Sequence, residues 1–145
     1  MTVLNEQNNQ FLFVNLVPED DALRVTCQYK ILYNEKPNGN SCFLPGLNIY
    51  FFAIDNDTMI KKGRVLTKYY FDYFLKHTAK NGLKKLALDL NKKGFKLQSD
   101  HNSTMHKLVN KKPVKANFLR SLNDEVPENF STASSVNQRE EFALA

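Results

Sequence analysis

The chain has 145 residues, of which 42% are hydrophobic, 12% aromatic and 24% charged, a composition that excludes wholesale disorder and allows one ordinary core. Its formal charge is +5, and no apolar run approaches the roughly 20 residues of a membrane helix. The start "MTVLNEQNNQ" lacks the basic end and apolar centre of a signal peptide, so a cytoplasmic protein without membrane insertion is expected.

The layout read from the sequence is an N-terminal extension over 1–10, one α+β domain over 11–122, and an acidic, polar C-terminal tail over 123–145. "FLFVNLV" from Phe11 predicts a strand ended by Pro18 and the acidic turn after it. Alternation from Ala22 to Tyr33, with Leu23, Val25, Cys27, Tyr29, Ile31 and Tyr33 on one side, predicts a half-buried antiparallel strand. "NEKPNGNS" then predicts a hairpin centred near Asn38 and Gly39, with a return strand from Cys42 to Ile54 bulged at Pro45 and Gly46. That centring sets Cys27 opposite Tyr50 and Cys42 opposite Glu35. The register is too far out for the Cα separation of about 4.4 to 6.8 Å that a disulfide needs, so both cysteines read as free thiols.

The next stretch, "KKGRVLTKYYFDYFLKH", sets Leu66, Tyr69, Tyr70, Tyr73, Phe74 and His77 on one helical face, with Phe71 and Leu75 widening it. Asn81 and Gly82 read as a stop, and a phase slip to Leu83, Leu86, Ala87 and Leu90 predicts a second helix capped by Gly94. "FKLQ" and "MHKLV" read as a small hairpin, and Val114, Phe118, Leu119 and Leu122 as a short helix. The expected fold class is α+β: a three-stranded antiparallel N-terminal sheet on two consecutive helices, then a small hairpin and a short helix.

Candidate chemistry is sparse. Asp55 and Asp57, at D-x-D spacing after an apolar run, resemble the first motif of haloacid-dehalogenase phosphatases and the D-x-D of some glycosyltransferases, in which carboxylates share Mg²⁺. Thr58 follows Asp57 directly, one residue earlier than the phosphatase motif places it. No βαβ repeat surrounds the pair, and an acidic turn between strand and helix is the plainer reading. His77, His101 and His106 have no zinc spacing with each other or with the cysteines, and no phosphate-binding glycine motif is present. No cofactor or metal is expected, and no catalytic residue is named.

What stands out is charge. Between Lys61 and Lys115 fifteen Lys or Arg residues face three acids, whereas the rest of the chain holds five against twelve. This block predicts a non-enzymatic binding protein that engages a polyanion such as nucleic acid, or an acidic protein surface. The residues predicted to bind the polyanion are Lys61, Lys62, Arg64, Lys84, Lys85, Lys92, Lys93, Lys96, Lys107, Lys111 and Lys112. Lys61, Lys62 and Arg64 read as a helix start, where the dipole opposes cations and an anion would relieve the cost.

Two helices and a basic hairpin over Val65 to Val109 resemble the helix-turn-helix and wing of winged-helix DNA-binding proteins. That resemblance implies Lys84, Lys85, Lys92 and Lys93 at the groove, and Lys96, His101 and Lys107 on the wing. Three strands stand in place of the usual first helix, and Asn91 alone offers an outward base-reading side chain. The competing expectation is an adaptor or assembly module that docks through Tyr69, Tyr70, Phe71, Tyr73 and Phe74. The ending "SVNQREEFALA" is also similar to the C-terminal export signals of bacterial effectors secreted by type IVB systems. Tail acids folding back on the basic block would inhibit binding, so truncation after Asn123 is expected to strengthen it.

Overall fold

The protein's structure, a computed structural model, describes residues 2–3, 11–77, 79–98, 101–110, 114–122, 130 and 132–144. Eleven elements follow in chain order: β1 (Thr2–Val3), β2 (Phe11–Glu19), β3 (Ala22–Lys36), β4 (Gly39–Leu44), β5 (Ile49–Ala53), α1 (Asn56–Leu75), α2 (Ala79–Lys92), β6 (Lys96–Leu97), α3 (His101–Val109), β7 (Ala116–Ser121) and β8 (Thr132–Ala143). The α+β class holds, but the expected three-stranded sheet is an eight-stranded antiparallel one.

Its spine is β3, whose alternation is the clearest in the sequence. One edge pairs with β8 along twelve residues, from Ala22↔Ala143 to Tyr33↔Thr132. The other edge is shared. The first half pairs with β2, from Glu19↔Ala22 to Phe13↔Gln28, and the second half with β4, from Leu32↔Phe43 to Lys36↔Gly39. β2 continues to β7 and then β6, β8 continues to β1, and β5 adds to β4.

Strand β2 runs through Pro18 to Glu19. Pairing with β7 stops at Leu16↔Ala116, so the proline lies where β2 has lost one neighbour and needs no donor on that side. The hairpin turn is Pro37 and Asn38, one residue earlier than expected. Cys42 therefore opposes Tyr33, and Cys27 sits between Val14 and Gln138. Both cysteines are free, as expected, and both are buried. The expected bulge at Pro45 is a complete reversal: Leu44 pairs with Ile49, and Asn48 N–H donates to Leu44 O at 3.0 Å.

Alternation assigns the two faces of the sheet. Inward go Leu12, Val14 and Leu16 of β2, Leu23, Val25 and Ile31 of β3, Phe118 of β7, and Val136 and Phe142 of β8. They meet Met59, Phe71 and Leu75 of α1, Leu83, Leu86 and Leu90 of α2, and Leu108 of α3 in one core. A smaller cluster of Leu32, Phe43, Phe130 and Ala133 lies on the opposite face. Among the described residues no helix is long and apolar enough to cross a membrane.

Helix α1 starts earlier than expected. Asp55 is its N-cap, with Oδ1 accepting Thr58 N–H at 2.7 Å, the usual remedy for a free helix amide. The buried stripe is Met59, Gly63, Thr67, Phe71 and Leu75 at four-residue spacing, so the residues expected at the margin are its centre. Gly63 explains the rotation: a Cβ there would lie 2.5 Å from Ile31 Cδ1, so the helix settles onto β3 at its small residue.

Asn81 and Gly82 lie inside α2, and the break falls earlier, between Leu75 and Ala79. A Cβ on Gly82 would sit 1.7 Å from Phe74 O, so this glycine serves close helix contact and not a stop. Gly94 ends α2 as expected, at φ +92 with Phe95 N–H donating to Leu90 O at 2.9 Å.

Beyond Gly94 the sequence reading fails in three places. The segment expected to close a hairpin forms α3, so the wing of the winged-helix resemblance is absent. The expected short helix is β7, whose inward Ala116, Phe118 and Arg120 pair across β2. The expected tail contains β8, held by β3 on one edge and β1 on the other. Residues 123–129 of that tail lie outside the described residues.

Candidate polyanion interface

The five aromatic residues of α1 divide by depth. Phe71 is 2% exposed and belongs to the core, whereas Tyr69 and Tyr73 are 64% and 77% exposed. Tyr70 and Phe74 pack edge to face in the seam between α1 and α2, 5.4 Å between ring centroids. Tyr70 OH donates to Asp89 Oδ2 of α2 at 2.6 Å. Burial and then the Asp89 carboxylate raise the Tyr70 pKa, so the phenol keeps its proton and the bond. His77, expected within the aromatic face, is exposed.

The basic residues divide as well. Lys62 Nζ donates to Phe52 O of β5 at 2.8 Å, capping a strand that has only β4 beside it among the described residues. Arg64 donates from NH1 to Asn137 O at 2.8 Å, and its own carbonyl accepts Gln138 Nε2–H at 2.9 Å, so it ties α1 to β8. Lys68 lies 3.8 Å from Asp72. Lys61 is exposed, but it and its neighbours stand beyond the first turn of α1. The expected helix-start anion site is therefore occupied by the Asp55 cap. The Thr58 hydrogen bond holds the Asp55 carboxyl below its ordinary pKa; Asp55 is the cap of α1 and Asp57 an acid of its first turn.

Helix α2 differs. Its acid, Asp89, is spent on Tyr70 and on Lys93, 3.1 Å away; the Lys93 ammonium also stands 5.7 Å from the Tyr70 ring centroid. Lys80, Lys84, Lys85 and Lys92 are all exposed, with no ion pair among the described residues. Tyr73, Phe74, Asn81, Gly82 and Lys85 line a cleft of about 240 Å³ at the α1–α2 seam. Lys85 is thus brought beside Tyr73, Lys84 and Lys92 stand exposed on the same helix, and Lys93 is withdrawn into the seam. Lys96 on β6 and Lys107 on α3 are exposed, while Lys111 and Lys112 lie outside the described residues.

The sequence reading omitted Lys80, and Lys76 at the end of α1, although both stand in the quoted run and share its signal. It also omitted every residue on the outer face of the sheet. Phe11, Phe13 and Asn15 alternate with Leu12, Val14 and Leu16, so the outward set was visible there.

Comparison with protein-family models, curated proteins and solved structures returns no significant match.

Proposed function

We propose that the protein is a non-enzymatic polyanion-binding protein whose ligand is a nucleic acid, held on the outer face of α2 and the adjoining rim of α1. The observation that carries this reading is the set Lys80, Lys84, Lys85 and Lys92, exposed on one helix whose acid is already engaged, with Lys85 beside the exposed ring of Tyr73. Phosphates would displace counterions from these ammonium groups, and the tyrosine would supply a stacking face. The α2 surface offers few base-reading groups, so contacts there are to the backbone and indifferent to sequence.

Fluorescence anisotropy of labelled single- and double-stranded oligonucleotides tests it. The log of affinity should fall with log salt by about 0.7 to 0.9 per phosphate contacted. Reversing the four lysines to Glu should abolish that dependence, and no binding at low salt would refute the reading.

Docking of a protein partner, as an adaptor or assembly module, is the second reading, favoured by the stripe of Val65, Tyr69 and Tyr73, all outward on α1 at four-residue spacing. An interface built on that stripe would weaken little with salt and would be lost in Tyr69→Ser with Tyr73→Ser.

A further inference from the structure

We propose that the uncovered face of the sheet is a second site, one that takes the unpaired bases of a single-stranded nucleic acid. The inference rests on the nucleic-acid reading above for its ligand class, but on different residues.

The helices cover one face of the sheet. On the other, two adjoining hollows of about 240 and 410 Å³ share Asn15, Thr26 and Arg139, and so form one groove across β7, β2, β3 and β8. Register sets its floor: Asn15 opposes Thr26 on β3 and Asn117 on β7, and Thr26 opposes Arg139 on β8. Gln28 and Asn137 extend it as a directly opposed pair.

The lining contains Arg24, Lys115 and Arg139 and no carboxylate. Glu19 and Glu141 hold Arg24 and Arg139 from outside the groove, the latter at 2.8 Å. Lys115 makes no ion pair among the described residues. With both arginines engaged, Lys115 carries the groove's attraction for an anion, and the amide side chains donate and accept at once, as base edges require.

The neighbouring positions on β2 select the kind of anion. Phe11 and Phe13 are 44% and 38% exposed, two residues apart on the same outward face, and Phe13 directly opposes Gln28. Aromatic rings left open on a sheet beside cations and amides are a platform on which successive bases stack. A duplex keeps its base faces stacked on each other and presents none to these rings. An acidic oligosaccharide would use the amides and cations, with less need of two phenyl rings.

The test uses the full-length chain with short oligouridine carrying 4-thiouridine, a duplex control and a sulfated heparin fragment as competitor. Thermal melting confirms that the variants fold; Phe13 and Lys115 are exposed, so Phe13→Ala and Lys115→Glu leave the core intact. The expected result is a loss of about tenfold or more in single-strand affinity for either variant, with duplex affinity unchanged for Phe13→Ala. Photo-crosslinks should fall on β2, β3 or β7. Sheet crosslinks that persist when Lys84 and Lys85 are reversed support this site as one independent of the helical lysines. Crosslinks confined to α1 and α2 overturn this inference and leave the helical reading standing. Heparin that removes the sheet crosslinks with an affinity indifferent to Phe13→Ala reassigns the groove to sugars and overturns it too. No oligonucleotide binding at low salt overturns both readings.

Discussion

Helices α1 and α2 look alike in sequence, each rich in lysine and each ending near a turn, but the fold uses them differently. Lys62 and Arg64 of α1 are drawn into hydrogen bonds with strand carbonyls, and Phe71 anchors the core. The lysines of α2 stay in solvent because its inward positions are filled by Leu83, Leu86, Ala87 and Leu90. A basic segment is therefore not the same thing as a basic surface. What remains after the fold has taken its share is the part available to a ligand.

The largest test of this division concerns the strand to which Arg64 is tied. Truncation after Asn123 removes β8, which lines one whole edge of β3, and should abolish the cooperative unfolding transition, read by urea titration and circular dichroism. The sequence reading expected the same truncation to release a basic surface. With β8 inside the sheet, that autoinhibition idea gives way to a folding requirement.

A smaller effect separates the two helices. Phe71→Ala in α1 should cost about 3 to 5 kcal/mol, whereas Leu88→Ala on the outer face of α2, 44% exposed, should stay within about 0.5 kcal/mol. Gly82→Ala sharpens the comparison at the contact between them. Helix propensity alone would stabilise by about 1 kcal/mol, yet the added methyl would meet Phe74 O and should destabilise by about 1 to 3 kcal/mol. A stabilised Gly82→Ala would mean the helices do not approach so closely.

At neutral pH the next effect is silent, and it emerges only in alkali. Burial pushes Cys27 up to about 12 and Cys42 to about 11, both from 9.0, and Tyr29 to about 12 from 10.0. Groups raised on folding contribute stability that is present below the unfolded pKa and lost as pH climbs to the folded one. Lys30, whose pKa burial lowers, contributes in the opposite sense. The urea midpoint should hold to about pH 9 and decline from there towards 12, less steeply in Cys27→Ala. A midpoint indifferent to alkali would mean these groups are not buried.

Parts of this were legible in the sequence. The alternation of β3, the reversal near Pro37, the free cysteines and the Gly94 cap each rest on local signals, and local signals survive folding. The cap of α1 was also written locally, in Asp55 and Thr58, but its carboxylates read only as an acidic turn between strand and helix. β8 was hidden because its inward residues include Ser134 and Gln138, too small or too polar to stand out, and its partner lies about a hundred residues away. β7 was misread because Arg120, 4% exposed, faces inward and breaks the apolar alternation. The candidate site was half legible: composition located the lysines, but only the fold tells which of them are already engaged.

The most direct measurement compares oligonucleotide affinity against salt for two variants, one with Lys80, Lys84, Lys85 and Lys92 reversed to Glu, the other with Lys62 and Arg64 changed to Gln. The division between the helices predicts that the α2 variant binds more weakly and loses about one unit of salt slope per phosphate contact removed, while the α1 variant keeps the wild-type slope at some cost in stability. An α1 variant that loses the slope, with an α2 variant that keeps it, would contradict the account.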